Sequence, residues 1–160
     1  MFGFSKSKKS KKSEAVSAND YLKSNPTHES DEWLETELSV PEDWRMSNED
    51  RYVYAFHNNQ SPKLKVNQIS IYGMELNKTV NGYEAAGLIR NTVQQTIQFQ
   101  PTVILLLGSN QEVIAKKEFD LSKLGTIPPN GARPWKFQFT KDDVLKDVEE
   151  PLKEWSLAFE

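Results

Sequence analysis

Residues 119–139, FDLSKLGTIPPNGARPWKFQF, constrain the fold more than any other stretch, because they read as a strand end, a stiff loop and a new strand. Phe119 and Leu121 close one apolar run. Pro128 and Pro129 fix φ in the connection, and Gly131 permits a backbone turn that other residues resist. After it the chain alternates: Trp135, Phe137 and Phe139 point one way, Lys136 and Gln138 the other. That period of two marks a strand with one buried face. Pro134 is expected at the first residue of this strand, where a missing N–H is tolerated.

The same signal recurs upstream. Tyr72, Met74 and Leu76 alternate, Asn81-Gly82 is a strong turn signal, and a further run follows from Tyr83 to Asn91. Residues 96–100 form a short piece ended by Pro101. Residues 102–107 are a continuous apolar run of the kind buried on both sides, and Gly108-Ser109-Asn110 turns the chain into residues 112–119. Trp155, Leu157 and Phe159 alternate once more near the C-terminus. Two helices are expected beside these strands. Ser47 before Glu49 and Asp50 predicts a helix start, with Tyr52, Val53 and Phe56 on one face, against the alternative of a strand with Tyr52, Tyr54 and Phe56 on one side. Thr140 and Asp143 resemble a capping pair, Val144, Leu145 and Val148 share a helical face, and Pro151 would stop that helix. Six or seven short strands within about 95 residues match the size of an immunoglobulin-like antiparallel β-sandwich. The expected fold is therefore mainly β, with one N-terminal helix and a short C-terminal helix.

A chain of 160 residues suits one domain plus extensions. Cysteine is absent, which removes disulfides, thiolate metal sites and cysteine nucleophiles together. No stretch reaches the roughly 18 apolar residues of a membrane span, and no apolar run follows the N-terminal lysines, so a soluble protein without an export signal is expected. The net charge of −3 conceals a division along the chain. Residues 1–12 carry five lysines and no acid, and residues 13–50 carry two basic against eleven acidic groups. Residues 51–139 reverse this, with ten basic and five acidic. Residues 1–25 are read as a disordered basic and polar tail, 26–46 as an acidic arm holding Trp33, Leu34, Leu38 and Trp44, and 47–160 as the sandwich domain. Whether the arm docks on its own core or on a partner stays open.

Chemistry-bearing patterns are few. His28 and His57 have no HxxxH or HExxH spacing, and the seven glycines form neither GxGxxG nor GxxxxGK[ST]. No catalytic residue, metal site or cofactor is expected, and nothing points to nucleic acid. Arg90, Asn91 and Arg133 stand beside apolar strands, where a charge must be exposed or paired. Either the arginines bond loop carbonyls or Asp120 and pin the corners of the sandwich, or Arg133 and Trp135 belong to a partner surface with Arg90, Asn91 and Trp33. The N-terminal tip offers weak contact with an anionic membrane leaflet through Phe2, Phe4, Lys6, Lys8, Lys9, Lys11 and Lys12.

The order VNQISIYGMEL, GLIRNT, VILLLG, KKEFDLSKLGTIPPNGARPWKFQF and EWSLAFE resembles the SLAP domain of bacterial S-layer assembly proteins. The resemblance runs over about residues 41–160. It is most specific at Ile89-Arg90-Asn91, Phe119-Asp120-Leu121 and Arg133-Pro134-Trp135, none of which is a catalytic motif. Only one FDL…RPW set is present, so the chain is similar to a single-domain member of a family whose full form carries two copies. The resemblance implies a non-enzymatic cytoplasmic factor of the accessory Sec system of Gram-positive bacteria. Its partners would be the accessory Sec ATPase or S-layer precursor proteins, with contact at the inner face of the membrane. The alternative from a different class is a small-molecule-binding or enzymatic domain using the sandwich loops.

Overall fold

The structure, a computed structural model, describes residues 15–24, 31–148 and 152–160. In chain order its elements are β1 (Val16–Ser17), α1 (Ala18–Ser24), β2 (Trp33–Leu34), β3 (Glu37–Leu38), α2 (Asn48–Gln60), β4 (Leu64–Lys65), β5 (Ile69–Thr79), β6 (Gly82–Asn91), β7 (Ile97–Gln98), β8 (Thr102–Leu107), β9 (Val113–Phe119), β10 (Thr126–Ile127), β11 (Gly131–Phe139) and β12 (Ser156–Phe159). Two larger sheets, β3-β11-β6-β5 and β12-β8-β9, make a mainly β, sandwich-like fold. The ladders of these sheets are antiparallel except β3 on β11. Two small sheets, β1-β7-β10 and β2-β4, complete the described strands.

Alternation along the sequence becomes the two faces of the first sheet. In β11, Phe137 and Phe139 lie opposite Ala85 and Tyr83 of β6. All four are buried in one cluster with Ile104 and Leu106 of β8, Ile114 and Ala115 of β9 and Leu157 of β12. Phe119 meets Phe137 and Phe139 edge-on at 5.2 and 5.3 Å between ring centres. Each such side chain contributes roughly 1.5–3 kcal/mol through burial, so this cluster is the main cohesive element. The hairpin at Asn81-Gly82 forms as expected, with Thr79 opposite Gly82. A Cβ on Gly82 would collide with the carbonyl of Phe139, which is why glycine is needed there. The sandwich closes at the other edge because Trp155 lies flat on Gly73 of β5, a Cβ at that glycine falling 2.5 Å from Cζ3 of the indole.

The structure revises or decides four readings. Within the tail expected over 1–25, residues 16–24 form β1 and α1: Ala18 is fully buried, Val16 pairs with Ile97, and the Tyr21 hydroxyl donates to the Asn67 carbonyl at 2.9 Å. Four apolar residues within seven positions find a ready surface there, a local signal that averaging over 25 residues hides. The acidic arm docks on its own chain: Trp33 and Leu34 pair with β4, Glu37 and Leu38 with β11, and Trp44 packs tilted on Trp135 at 5.7 Å. The first sheet thus takes in residues before 47. Helix α2 starts at the expected cap, where Ser47 Oγ accepts from the Asp50 amide at 3.0 Å. Its Tyr52, Val53 and Phe56 nevertheless face outward, at 71, 46 and 51% exposed. The more buried side of the helix is that of Tyr54 and Asn58, with Tyr54 within electrostatic reach of Lys136 and Glu84 of the first sheet.

Lastly, the short C-terminal helix is a single 3-10 turn, Lys141–Asp143, although its capping pair is present with Asp143 Oδ2 accepting from Thr140 N at 2.7 Å. Val144 then bridges to Ala115, and the Leu145 amide donates to the Ile114 carbonyl at 2.8 Å. Bonds to the open edge of β9 outcompete a helix too short to sustain itself. Pro151 lies outside the described residues.

Candidate functional site

The motif Ile89-Arg90-Asn91 ends β6, and alternation sends its neighbours to opposite faces. Ile89 joins the core and lies across from Arg133, whereas Arg90 lies across from Ala132 on the other face. Arg90 and Arg133 therefore do not converge on one site.

Asn91 is fully buried and serves as a clamp. Its Nδ2 donates to the carbonyls of Gln95, Ile127 and Pro128 at 3.0, 3.1 and 3.1 Å, and its Oδ1 accepts from Val93 N at 2.8 Å. It thereby ties the end of β6 to the Pro128-Pro129 loop. Arg133 does the same at the other side. Its Nε donates to the Ser39 carbonyl at 2.6 Å, Nη2 to Ser39 Oγ at 3.0 Å and Nη1 to the Leu124 carbonyl, while its guanidinium carbon lies 5.7 Å from the Trp44 ring centre. Burial pushes its pKa down, yet a guanidinium stays protonated under ordinary conditions. Bonds to loop carbonyls are one of the two sequence-level expectations for the arginines, and at Arg133 they are what the structure shows. Asp120 takes no part in them; it caps the turn Leu121–Leu124 through Ser122. Trp135 is half-buried between Trp44 and the core. Asn91 and Arg133, both expected on a partner surface, are thus buried and bonded within the chain.

Arg90 is different. It is only 2% exposed, and its one side-chain hydrogen bond among the described residues runs from Nε to Thr36 Oγ1 at 3.1 Å. Thr36 Oγ1 donates in turn to Asn58 Oδ1 at 2.8 Å, and Asn58 Nδ2 donates to the Thr36 carbonyl at 2.5 Å. Burial lowers the pKa of Arg90, partly opposed by Tyr72, and no described carboxylate pairs with it. Arg90 lines a cavity of about 200 Å³ together with Glu35, Thr36, Asn58, Asn59, Ser61 and Lys63. Lys63 and Glu35, both largely exposed, pair at the mouth at 3.6 Å.

Trp33, also expected on a partner surface, is 57% exposed, with Lys65 Nζ 5.2 Å from its ring centre. Phe2, Phe4, Lys6, Lys8, Lys9, Lys11 and Lys12 lie outside the described residues. Sequence reasoning missed Thr36, Asn58 and Lys63, which surround Arg90. No spacing links Thr36 to Asn58 to Arg90; the contact exists because α2 and β3 meet on one face of the sheet.

The structure is thus a mainly β, sandwich-like domain in which the buried polar residues Asn91 and Arg133 clamp loops. The SLAP domain family model matches residues 38–160, and the chain belongs to that family, which is not a known enzyme family. The matched segment begins at β3, the strand that the sequence placed in a separate arm. Comparison with curated proteins and with solved structures gave no match. Among the described residues no helix is long and apolar enough to cross a membrane.

Proposed function

We propose that this protein is a non-enzymatic accessory factor for secretion or assembly of surface-layer proteins through the accessory Sec pathway, acting by protein–protein binding in the cytoplasm. Membership of the SLAP domain family carries the proposal. The apolar stripe of α2 supports it: Tyr52, Val53 and Phe56 remain exposed on one side of a capped helix, and exposed aromatic side chains are favoured anchors at interfaces. Its partners in this role are the accessory Sec ATPase or surface-layer precursors, and the lysine-rich residues 1–12 add attraction to an anionic inner leaflet. The test is deletion of the gene followed by measurement of surface-layer export, with complementation by wild type or by Tyr52→Ser/Phe56→Ser. Loss of export with precursor retained inside the cell, restored by wild type and not by the double variant, is the expected result. Normal export in the deletion strain refutes the role, and full rescue by the double variant refutes the surface.

A further inference from the structure

We propose that the Arg90 cavity is a carboxylate-binding site. The inference goes beyond the secretion role and does not depend on it. A buried guanidinium without a counter-charge is unfavourable unless its hydrogen bonds are satisfied and its charge offset. Here the Nε bond to a neutral hydroxyl is all that the described residues supply. Neither Nη group has a bonding partner among the described residues, and Arg90 lines the cavity.

The site is also pre-organised. Arg90 Nε is held by Thr36, Thr36 is held by Asn58, and Asn58 is anchored in α2 and reaches back to the Thr36 backbone. This fixes the plane of the fork before any ligand arrives, and a fixed fork offers two parallel N–H groups to a planar carboxylate. The size sets an upper limit. About 200 Å³ is below the roughly 300–1,000 Å³ of sites that enclose whole small molecules, so the cavity suits a small acid or the end of an acidic side chain.

Charge chooses between oxyanions. Arg90 and Lys63 contribute two positive charges to the lining and Glu35 one negative, leaving +1. A monoanionic carboxylate neutralises that; a phosphate dianion would leave an excess negative charge beside Glu35. A rival account is that Arg90 merely complements the negative end of α2, whose last turn borders the cavity. Ser61, however, already bonds the Asn58 carbonyl through both its amide at 3.1 Å and its hydroxyl at 2.5 Å, and Arg90 donates to no carbonyl there.

The test is an NMR titration of the full chain at constant ionic strength, following the Arg90 Nε–H signal and the amides of Thr36 and Asn58. The probes are acetate, inorganic phosphate, the blocked peptide acetyl-Ala-Glu-Ala-amide and its Gln counterpart. Saturable shifts with acetate and the Glu peptide, weaker binding of phosphate and none of the Gln peptide are expected. Tighter binding of the peptide than of acetate assigns the carboxylate to a polypeptide; equal binding assigns it to a free acid. Arg90→Lys, which keeps the charge and loses the fork, should abolish saturation. Because that variant can disturb packing, Glu35→Gln and Lys63→Glu at the exposed mouth provide the second measurement. The first should tighten binding about fivefold, the effect of one unit charge at about 4 Å in water, and the second, a change of two unit charges, should weaken it about 25-fold. Identical shifts from the Glu and Gln peptides, stronger binding of phosphate than of acetate, or indifference to both mouth variants overturns the proposal. An arginine that only complements the helix end would give that indifference.

Discussion

Asn91→Asp changes one buried group by a single atom and should be among the most damaging isosteric substitutions in the chain. The Nδ2 of Asn91 serves three carbonyls at 3.0–3.1 Å, so an oxygen in its place would face three acceptors with nothing to donate. Losing the two N–H donors shared among these carbonyls, at roughly 1 kcal/mol each, gives about 2 kcal/mol, and Asn91→Ala, which also gives up the bond from Val93 N, about 3 kcal/mol. The aspartate adds charge. Burial among carbonyls raises a carboxyl pKa by about 2–3 units, and each unit corresponds to about 1.4 kcal/mol, so ionisation adds about 3–4 kcal/mol at pH 7. The sign follows from linkage. With a folded pKa above the unfolded value of about 3.9, the variant binds its proton more tightly when folded; the extra penalty is absent below about pH 4 and grows as pH rises. Urea denaturation of wild type, Asn91→Ala and Asn91→Asp at several values between pH 4 and 7 measures this. The difference between wild type and Asn91→Asp should widen with pH while that for Asn91→Ala stays level. Equal losses for Asn91→Asp at both ends of the range, or wild-type stability, would refute the clamp.

Two further outcomes follow from particular contacts. Gly73→Ala should lose about 1–3 kcal/mol by forcing the Trp155 ring from its slot, about 2–12 °C in melting temperature for a chain of this size, and should be neutral or slightly stabilising in a Trp155→Ala background. A thermal double-mutant cycle checks the coupling, and additive losses would show that the two residues do not interact. Ser47→Ala should cost about 1 kcal/mol in chemical denaturation by leaving the Asp50 amide without its cap, and Ser47→Asp should restore most of it; equal stability of all three would mean that the cap contributes nothing.

Much of the strand layout is legible without coordinates. The alternation of Trp135, Phe137 and Phe139, the Asn81-Gly82 turn and the apolar run of residues 102–107 each report a local backbone period, and each appears as a strand or turn. Failures occurred where a choice depended on a neighbour. Val144 and Leu145 have a helical spacing, yet the free edge of β9 offers bonds that an isolated turn cannot match. Tyr52, Val53 and Phe56 share a face, but that face has no layer above it among the described residues. The candidate site was half visible. Arg90 stands out as a charge in an apolar strand, while Thr36, Asn58 and Lys63, which define its cavity, carry no mark of their own.

By itself the sequence determines the mainly β character, the caps at Ser47 and Thr140 and the family motifs, because strand period and capping act over a few consecutive residues. Only the tertiary structure decides which arginine becomes a clamp and which faces a cavity. The two stand in adjacent strands, each next to an apolar residue, and a register offset by one residue sends them to opposite faces of one sheet. One face meets Ser39 and the Leu124 carbonyl, the other meets Thr36 with the cavity beside it. Such a difference arises from contacts between residues 54 and 94 positions apart, which no local pattern encodes.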